Sequence, residues 1–283
     1  MLDILLDALL DTAKLLPFLF LTYLLLEFIE HKAAAKAANL AAKAGKLGPA
    51  VGGLLGAIPQ CGFSASAANL YAGGIISVGT LIAIFISTSD EMLPIMVSEQ
   101  IAAPRILCML GIKVLCGIIV GFLVDFILRF YKKTTEGEHI SHLCEEENCH
   151  CENGIFLSSL IHTIQIAFFI FIFSLLIGVL MHFIGEEALA SFAAGAGILT
   201  PIAAGLVGLI PNCASSVVLT QLFLSGVIST GAMLAGLIAN SGVGLLILFR
   251  VHKNWKVNLL ITAIVYGAGI FVGILFDLLS ITV

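Results

Sequence analysis

Charged residues are scarce in this chain of 283 residues: Asp, Glu, Lys and Arg together make up only 11% of it. In soluble domains, about a quarter of the residues are charged. Hydrophobic residues make up 60%, and the mean hydropathy is +1.13. A water-soluble fold of this length does not bury so much apolar side chain. The shortage of charge therefore excludes a soluble protein and indicates an integral membrane protein.

The chain also lacks short motifs of common catalytic sites. It contains no HExxH motif, no GxSxG motif and no Walker A motif. These absences argue against an intramembrane enzyme and against ATP hydrolysis by this chain. We therefore predict no enzyme and no required cofactor. The lipid bilayer and a small ion are the expected partners, and no nucleic-acid partner is predicted.

The seven cysteines do not form a secreted disulfide framework, because their number is odd and four lie in apolar blocks. The other three belong to a tract at 139–152 that reads HISHLCEEENCHCE. Thiolate and imidazole groups suit zinc, copper(I) and similar ions. We predict a metal-collecting or metal-sensing linker whose candidate ligands are His139, His142, Cys144, Cys149, His150 and Cys151. A disordered linker with incidental cysteines and a redox-responsive cluster are the alternatives.

The most informative feature that is present is an internal repeat. Residues 58–74, IPQCGFSASAANLYAGG, align without a gap with residues 210–226, IPNCASSVVLTQLFLSG, at an offset of 152. Between 48–96 and 200–248, about 18 of the 49 aligned pairs are identical, which is far above chance even for apolar sequence. Two similar apolar halves, each interrupted at a matching Pro-polar-Cys, are typical of secondary transporters.

Apolar runs and basic loops predict the topology. Four runs are long enough to cross a bilayer: 4–29, 106–130, 156–184 and 257–281. Ten of the thirteen Lys and Arg residues lie in or beside 31–47, 131–153 and 250–256, which places these loops in the cytoplasm. Both termini then lie outside, and each half crosses an odd number of times, so the halves are inverted. Parallel repeats with an even number of crossings are the alternative.

We therefore predict an all-α integral membrane protein with two inverted-topology repeats of about five helical pieces each. The expected boundaries are 1–130 for the first repeat, 131–154 for the cytoplasmic Cys/His-rich linker and 155–283 for the second repeat. Pieces that are too short to span the bilayer must face protein or a watery cavity.

Proline interrupts a helix at the same place in each repeat. Pro59 and Pro211 end one short helix, and a second is expected to begin at Ser64 or Ser216. The two pieces form either a re-entrant hairpin, which we favour, or one kinked span with an unwound middle. Inverted symmetry would bring the two interruptions face to face near the midplane of the membrane.

These interruptions, and the polar ISTSDE and IANSGV stretches at 86–91 and 238–243, supply the candidate substrate site. Its candidate residues are Gln60, Cys61, Asn69, Ser89, Asp90, Glu91, Asn212, Cys213, Gln221 and Asn240. The cysteines are the expected soft ligands, and the amides and hydroxyls the expected oxygen ligands. Asp90 or Glu91 would neutralise a cation or couple transport to protons, with Lys14 or Lys113 as a partner that keeps the carboxylate ionised.

Four stretches carry a resemblance to a known family: LLDTAKLLPFLFLTYLLLEFIEH at 9–31, GAIPQCGFS at 56–64, the Cys/His linker, and GLIPNCAS at 208–215. On these stretches the chain resembles a bacterial family of ten-helix heavy-metal exporters. That family is grouped by name with arsenical efflux permeases and is also labelled as manganese transporters. The resemblance implies export of a metal or metalloid across the inner membrane.

The predicted function is secondary-active export of a heavy-metal or divalent metal ion, by alternating access around the two Pro-x-Cys turns. Two facing thiols also suit arsenite or an organoarsenical, so an arsenical efflux permease is one alternative. Mn²⁺ prefers oxygen ligands, which the acidic pair and the amides supply and the cysteines do not. A passive channel-like pore and a metal sensor are the alternatives from other functional classes.

Overall fold

The computed structural model describes part of the segment 6–24 and then residues 47–58, 61–89, 92–131, 155–184 and 199–279. These residues form helices and short connections, and they contain no strand. The predicted all-α fold is confirmed.

From residue 47 onward, the described part of the first half contains the helices α1 (Gly48–Gly56), α2 (Cys61–Ala72), α3 (Val78–Ser87), α4 (Met92–Ser98) and α5 (Ala103–Tyr131). Proline at the start of α1 is tolerated, because the first N–H groups of a helix have no partner in the helix. After α2, Gly74 has a φ of 70°, and the N–H of Ile75 donates to the carbonyl of Leu70 at 2.9 Å. This is the left-handed turn that commonly ends a helix at glycine.

The second half begins with α6 (Ile155–Ile184). It then repeats the pattern of α1 to α5 with α7 (Thr200–Gly208), α8 (Cys213–Leu224), α9 (Thr230–Ala239), α10 (Gly244–Val251) and α11 (Trp255–Leu278). Each helix from α7 to α11 begins 152 residues after its counterpart from α1 to α5. Helices α2 and α8 begin at Cys61 and Cys213, three residues earlier than predicted. In the second half, the break between α7 and α8 is four residues long, 209–212, and it contains Pro211.

The repeat extends to individual hydrogen bonds. Ser77 Oγ accepts the backbone N–H three residues later and donates to Asp125 Oδ2 at 2.6 Å. Ser229 Oγ makes the equivalent pair of bonds and donates to Asp277 Oδ2 at 3.0 Å. In both halves, a carboxylate near the end of the long helix thus closes the N-terminal end of the third helix.

Four described stretches are long and apolar enough to cross a membrane: Val78–Ser98, Ala103–Leu128, Thr230–Val251 and Trp255–Leu278. In the two unbroken stretches, which belong to α5 and α11, 28% and 22% of the apolar 18-residue core of the stretch is buried. In the two stretches that contain a break, α3–α4 and α9–α10, the values are 75% and 89%. The broken helices therefore form the centre of the protein, and the unbroken ones present apolar surface to lipid.

The two halves contact one another reciprocally. Helix α2 of the first half packs on α10 of the second, and α8 of the second packs on α4 of the first. Helices α3 and α9 also touch each other. Such an exchange of equivalent contacts is what a two-fold relationship between similar units produces. The α2–α10 contact requires glycine, because a Cβ on Gly244 would lie 2.7 Å from the Cβ of Ser64.

Candidate functional site

A small polar cavity of about 10 Å³, roughly the room that one water molecule needs, lies where the two halves meet. The first half contributes Thr88, Ser89, Met92 and Lys113 to its lining, and the second half contributes Ser216, Leu237 and Asn240. Five of these seven side chains are polar or charged, although all five lie in apolar stretches of the described chain. Polar groups buried at membrane depth are costly, so their concentration at one cavity indicates a functional site.

The cavity is built at the equivalent breaks of two helices. Helix α3 ends at Ser87, and the backbone of Thr88 and Ser89 is unwound. Helix α9 ends at Ala239, and Asn240 occupies the position equivalent to Thr88. The C-terminal end of a helix carries a partial negative charge. Both helices therefore end, with that charge, at the same cavity.

The hydroxyl groups at the end of α3 donate their protons to the helix itself. Thr88 Oγ1 donates to the carbonyl of Ile84 at 2.7 Å, and Ser89 Oγ donates to the carbonyl of Ser87 at 3.2 Å. A hydroxyl that has given up its one proton to a bond can only accept further bonds. These side chains therefore offer oxygen lone pairs to the cavity, which suits a cation better than an anion.

Lys113 is the one charged side chain among the described residues of the lining. It is 1% exposed, and its ammonium donates a hydrogen bond to the carbonyl of Thr88. A buried ammonium needs such bonds to offset its lost hydration. The position beyond the C-terminal end of α3 also favours a positive charge. In the second half, Val265 stands at the equivalent position of α11.

The positions related to the cavity by the repeat are filled differently. Gly244 stands where the first half has Met92, and it packs directly on Ser64. Phe85, which is fully buried, stands where the second half has Leu237. A large ring and a direct helix contact thus stand at the positions where the cavity lining has Leu237 and Met92. These equivalent positions of the two halves therefore differ in size.

The predicted site residues with described side chains do not all meet at this cavity. Ser89 and Asn240 line it. Asn69 is buried elsewhere, where it accepts a hydrogen bond of 2.9 Å from the hydroxyl of Tyr23. Gln221 is exposed on α8. The structure thus brings together the two residues that lie at helix breaks.

The Pro-x-Cys turns are described in part. Pro211 and Asn212 are half-buried between α7 and α8, and Ser215 Oγ donates to the backbone carbonyl of Asn212 at 2.8 Å. Cys61 and Cys213 are the first residues of α2 and α8; the positions of their side chains lie outside what the structure describes. The other predicted positions outside the described residues are Pro59, Gln60, Asp90, Glu91, His139, His142, Cys144, Cys149, His150 and Cys151.

The donor set of the cavity consists of oxygens and one sulfur. Within the described ranges, no three His, Cys, Asp or Glu side chains are grouped closely enough to bind a metal ion. Hydroxyl, amide and carbonyl oxygens suit hard divalent ions, whereas the thioether of Met92 suits softer ones. The cavity combines both kinds of donor.

Thr88, Met92 and Ser216 line the cavity but are not among the candidates predicted from the sequence, and Lys113 is predicted only as the partner of a carboxylate. Thr88 aligns with Asn240, so the repeat itself was a usable signal. Ser216 is identical to its counterpart in the first half, which was a second signal. Nothing in the sequence distinguishes Met92 from other apolar residues of the broken helices.

The first 186 residues match the model of the ArsP_2 family, which is described as "Putative, 10TM heavy-metal exporter". The match covers the first half, the linker and α6, about two thirds of the 283 residues. Neither the curated proteins nor the solved structures contain a match to this chain. The family is the one that the sequence motifs predicted. The chain therefore belongs to the ArsP_2 family.

Proposed function

We propose that this protein is a secondary-active exporter of a heavy-metal or divalent metal ion in the bacterial inner membrane. Transport would occur by alternating access around the cavity. The observation that carries the proposal is that Ser89 and Asn240, from equivalent helix breaks in the two halves, line one cavity. The description of the family as a heavy-metal exporter supports a metal ion as the cargo and the outside as the direction of transport.

The chemistry of the cavity supports a cation as cargo. Two helices end there with partial negative charge, and the hydroxyls of Thr88 and Ser89 offer lone pairs because their protons are already donated. Unwound backbone and helix C-termini are a known way to coordinate cations inside transporters. Met92 adds a thioether that favours a soft or borderline metal.

We extend this site to the Pro-x-Cys turns and to the acidic pair. Cys213 begins α8 one helical turn before Ser216, which lines the cavity. In the proposal, the two turns form the approach to the cavity, with thiolates and the adjacent amides as transient ligands. Asp90 and Glu91 stand between two lining residues, Ser89 and Met92, in the sequence. One of them would neutralise the metal or couple its transport to protons.

Reciprocal packing supports an inverted arrangement of the repeats. The contacts fit a two-fold relationship between the halves. Lys and Arg are concentrated in the loops at 31–47, 131–153 and 250–256, which would all lie on the cytoplasmic side. A two-fold axis in the membrane plane would satisfy both observations. Both termini would then lie outside, and the linker between the repeats would collect metal on the cytoplasmic side. The repeats and linker would have the boundaries predicted above.

Metal flux into everted membrane vesicles tests the proposal. We expect saturable uptake of at least one of Mn²⁺, Zn²⁺ and Cd²⁺ that depends on the pH gradient. Uptake limited to arsenite or a methylated arsenical would favour the arsenical permease instead. Flux that neither saturates nor responds to the gradient would favour a pore.

Variants link this flux to the cavity. Asn240→Leu and Ser89→Ala should reduce the apparent metal affinity by about tenfold, since each removes an oxygen that a buried cation needs. Ser98→Ala is the control, because this serine is exposed and its hydroxyl donates to the carbonyl of Ile95 in the same helix. Normal flux in both cavity variants would contradict the placement of the site.

A further inference from the structure

We propose that the ammonium of Lys113 is a built-in competitor of the transported cation: it occupies the cation position at the end of α3, and the metal must displace it. This inference rests on the proposed function, because it requires a cation as cargo. It assigns to Lys113 a role in setting the affinity of the site and the release of the metal.

The location of the ammonium is the first argument. Lys113 is 1% exposed, lines the cavity and donates to the carbonyl of Thr88, the residue that caps the C-terminal end of α3. Carbonyl oxygens at an unwound helix end are ligands that a metal cation would use. The ammonium therefore occupies an acceptor that the cargo needs.

The rest of the lining is the second argument. The hydroxyl protons of Thr88 and Ser89 are donated to backbone carbonyls, so these groups face the cavity as acceptors. Asn240 Oδ1, at the end of α9, accepts the backbone N–H of Gly242 at 2.8 Å and keeps a second lone pair. A site for an anion would present several donors, whereas here the hydroxyls of Thr88 and Ser89 face a tethered cation as acceptors. The lysine thus resembles a bound cation more than a receptor for an anion.

The second half supplies the third argument, because its equivalent helix pair packs without a lysine at this position. Helix α11 packs on α9 as α5 packs on α3, through glycines that approach a backbone carbonyl. A Cβ would lie 2.7 Å from the carbonyl of Ala83 at Gly117 and 2.6 Å from that of Ala235 at Gly269. Yet α11 carries Val265 where α5 carries lysine. A structural role common to both repeats therefore does not explain Lys113.

Electrostatics sets the expected consequence. Two positive charges about 6 Å apart in a partly buried site repel strongly enough to change a binding constant tenfold or more. A tethered ammonium would lower the affinity for the metal and return to the helix end as the metal leaves. The exporter would thereby release its cargo into an outside medium that already contains metal.

The test is equilibrium binding of radiolabelled Zn²⁺, Cd²⁺ and Mn²⁺ to the purified full-length protein. Lys113→Met keeps the length of the side chain and removes the charge, and we expect at least one metal to bind about tenfold more tightly. Its dissociation should be slower by a similar factor. Lys113→Arg keeps the charge and should not bind more tightly. Lys253→Met, which removes an exposed lysine from a loop, should behave as the wild type.

Lys113→Val reproduces the residue of the second half and replaces Lys113→Met if that variant does not fold. Unchanged or weaker metal binding in a folded neutral variant would overturn the inference; weaker binding would show that the ammonium attracts an anionic form of the cargo. If the wild type and the neutral variants bind none of the three metals, the proposed function fails and this inference fails with it. Binding to the wild type that the neutral substitutions leave unchanged would contradict this inference alone.

Discussion

Ser77 and Asp125 are joined by a hydrogen bond of 2.6 Å across 48 residues of sequence, from the hydroxyl of α3's N-terminal cap to a carboxylate on α5. The other oxygen of Asp125 accepts the backbone N–H of Gly79 at 2.8 Å. A negative charge at the N-terminal end of a helix is stabilised by the helix dipole. One carboxylate thus closes α3 and fixes α5 against it, which positions the other end of α3 at the cavity.

Asp125→Ala should lower the stability of the protein by about 1–3 kcal/mol, because it leaves buried donors at the start of α3 without their acceptor. Thermal unfolding in detergent measures the effect. Asp277→Ala is the matched variant in the second half, where the carboxylate is exposed and its bonds are longer, 3.0 and 3.2 Å. It should have the smaller effect, and an equal or larger loss of stability would contradict this account of the two caps.

Gly117→Ala should destabilise the contact between α5 and α3, because the new Cβ would lie 2.7 Å from the carbonyl of Ala83. Overpacking of this kind costs about 1–3 kcal/mol. Gly111→Ala is the control on the same helix, since no atom lies within 4 Å of the added Cβ. It should leave the unfolding temperature unchanged or raise it slightly, because alanine favours a helix. Equal unfolding temperatures for the two variants would show that α5 does not pack on α3 as described.

These two contacts show what the sequence could predict of the fold. The same residue types recur 152 positions after Ser77, Gly79, Gly117 and Asp125. Identical residues at this offset therefore predict the repeat, and its proline and glycine residues predict where the helices end. Helix α2 begins at Cys61, three residues before the predicted start at Ser64. The residues 61–63 contain nothing that prevents a helix, so the sequence does not fix this boundary.

The cavity was predictable only in part. Ser89 and Asn240 stand in stretches whose polar residues loosen a helix, so the sequence predicts them as candidates. The placement of Lys113 depends on how α5 lies beside the end of α3, which is a tertiary contact. The sequence predicts Gln221 as a site residue, but its side chain is exposed on α8. Helix α8 is apolar on most sides, so its periodicity does not show which face is buried.

Replacing both cysteines of the Pro-x-Cys turns tests their proposed role. The Cys61→Ser, Cys213→Ser double variant should lose protection against Cd²⁺ in a metal-sensitive host, and it should lose less protection against Mn²⁺, because a hydroxyl replaces a thiolate. Cys108→Ser is the control, since this cysteine is exposed on α5. Full Cd²⁺ resistance at normal expression of the double variant would remove the thiolates from the mechanism.

The proposed role of the linker makes a different prediction. Replacing its six Cys and His residues at 139–151 with serine and asparagine should leave metal uptake by everted vesicles intact at saturating metal. Protection of cells at low metal concentrations should fall, because the linker would no longer collect metal near the membrane. If vesicle uptake is lost as completely as in Asn240→Leu, the linker belongs to the transport pathway itself.

Anomalous X-ray scattering from crystals of the protein with bound Cd²⁺ tests the location of the substrate site most directly. The ion is predicted to lie in the cavity between Ser89 and Asn240, within coordinating distance of oxygens at the ends of α3 and α9. Cd²⁺ found only at the Cys/His linker or on the protein surface, with the cavity free of it at saturating concentration, would contradict the account.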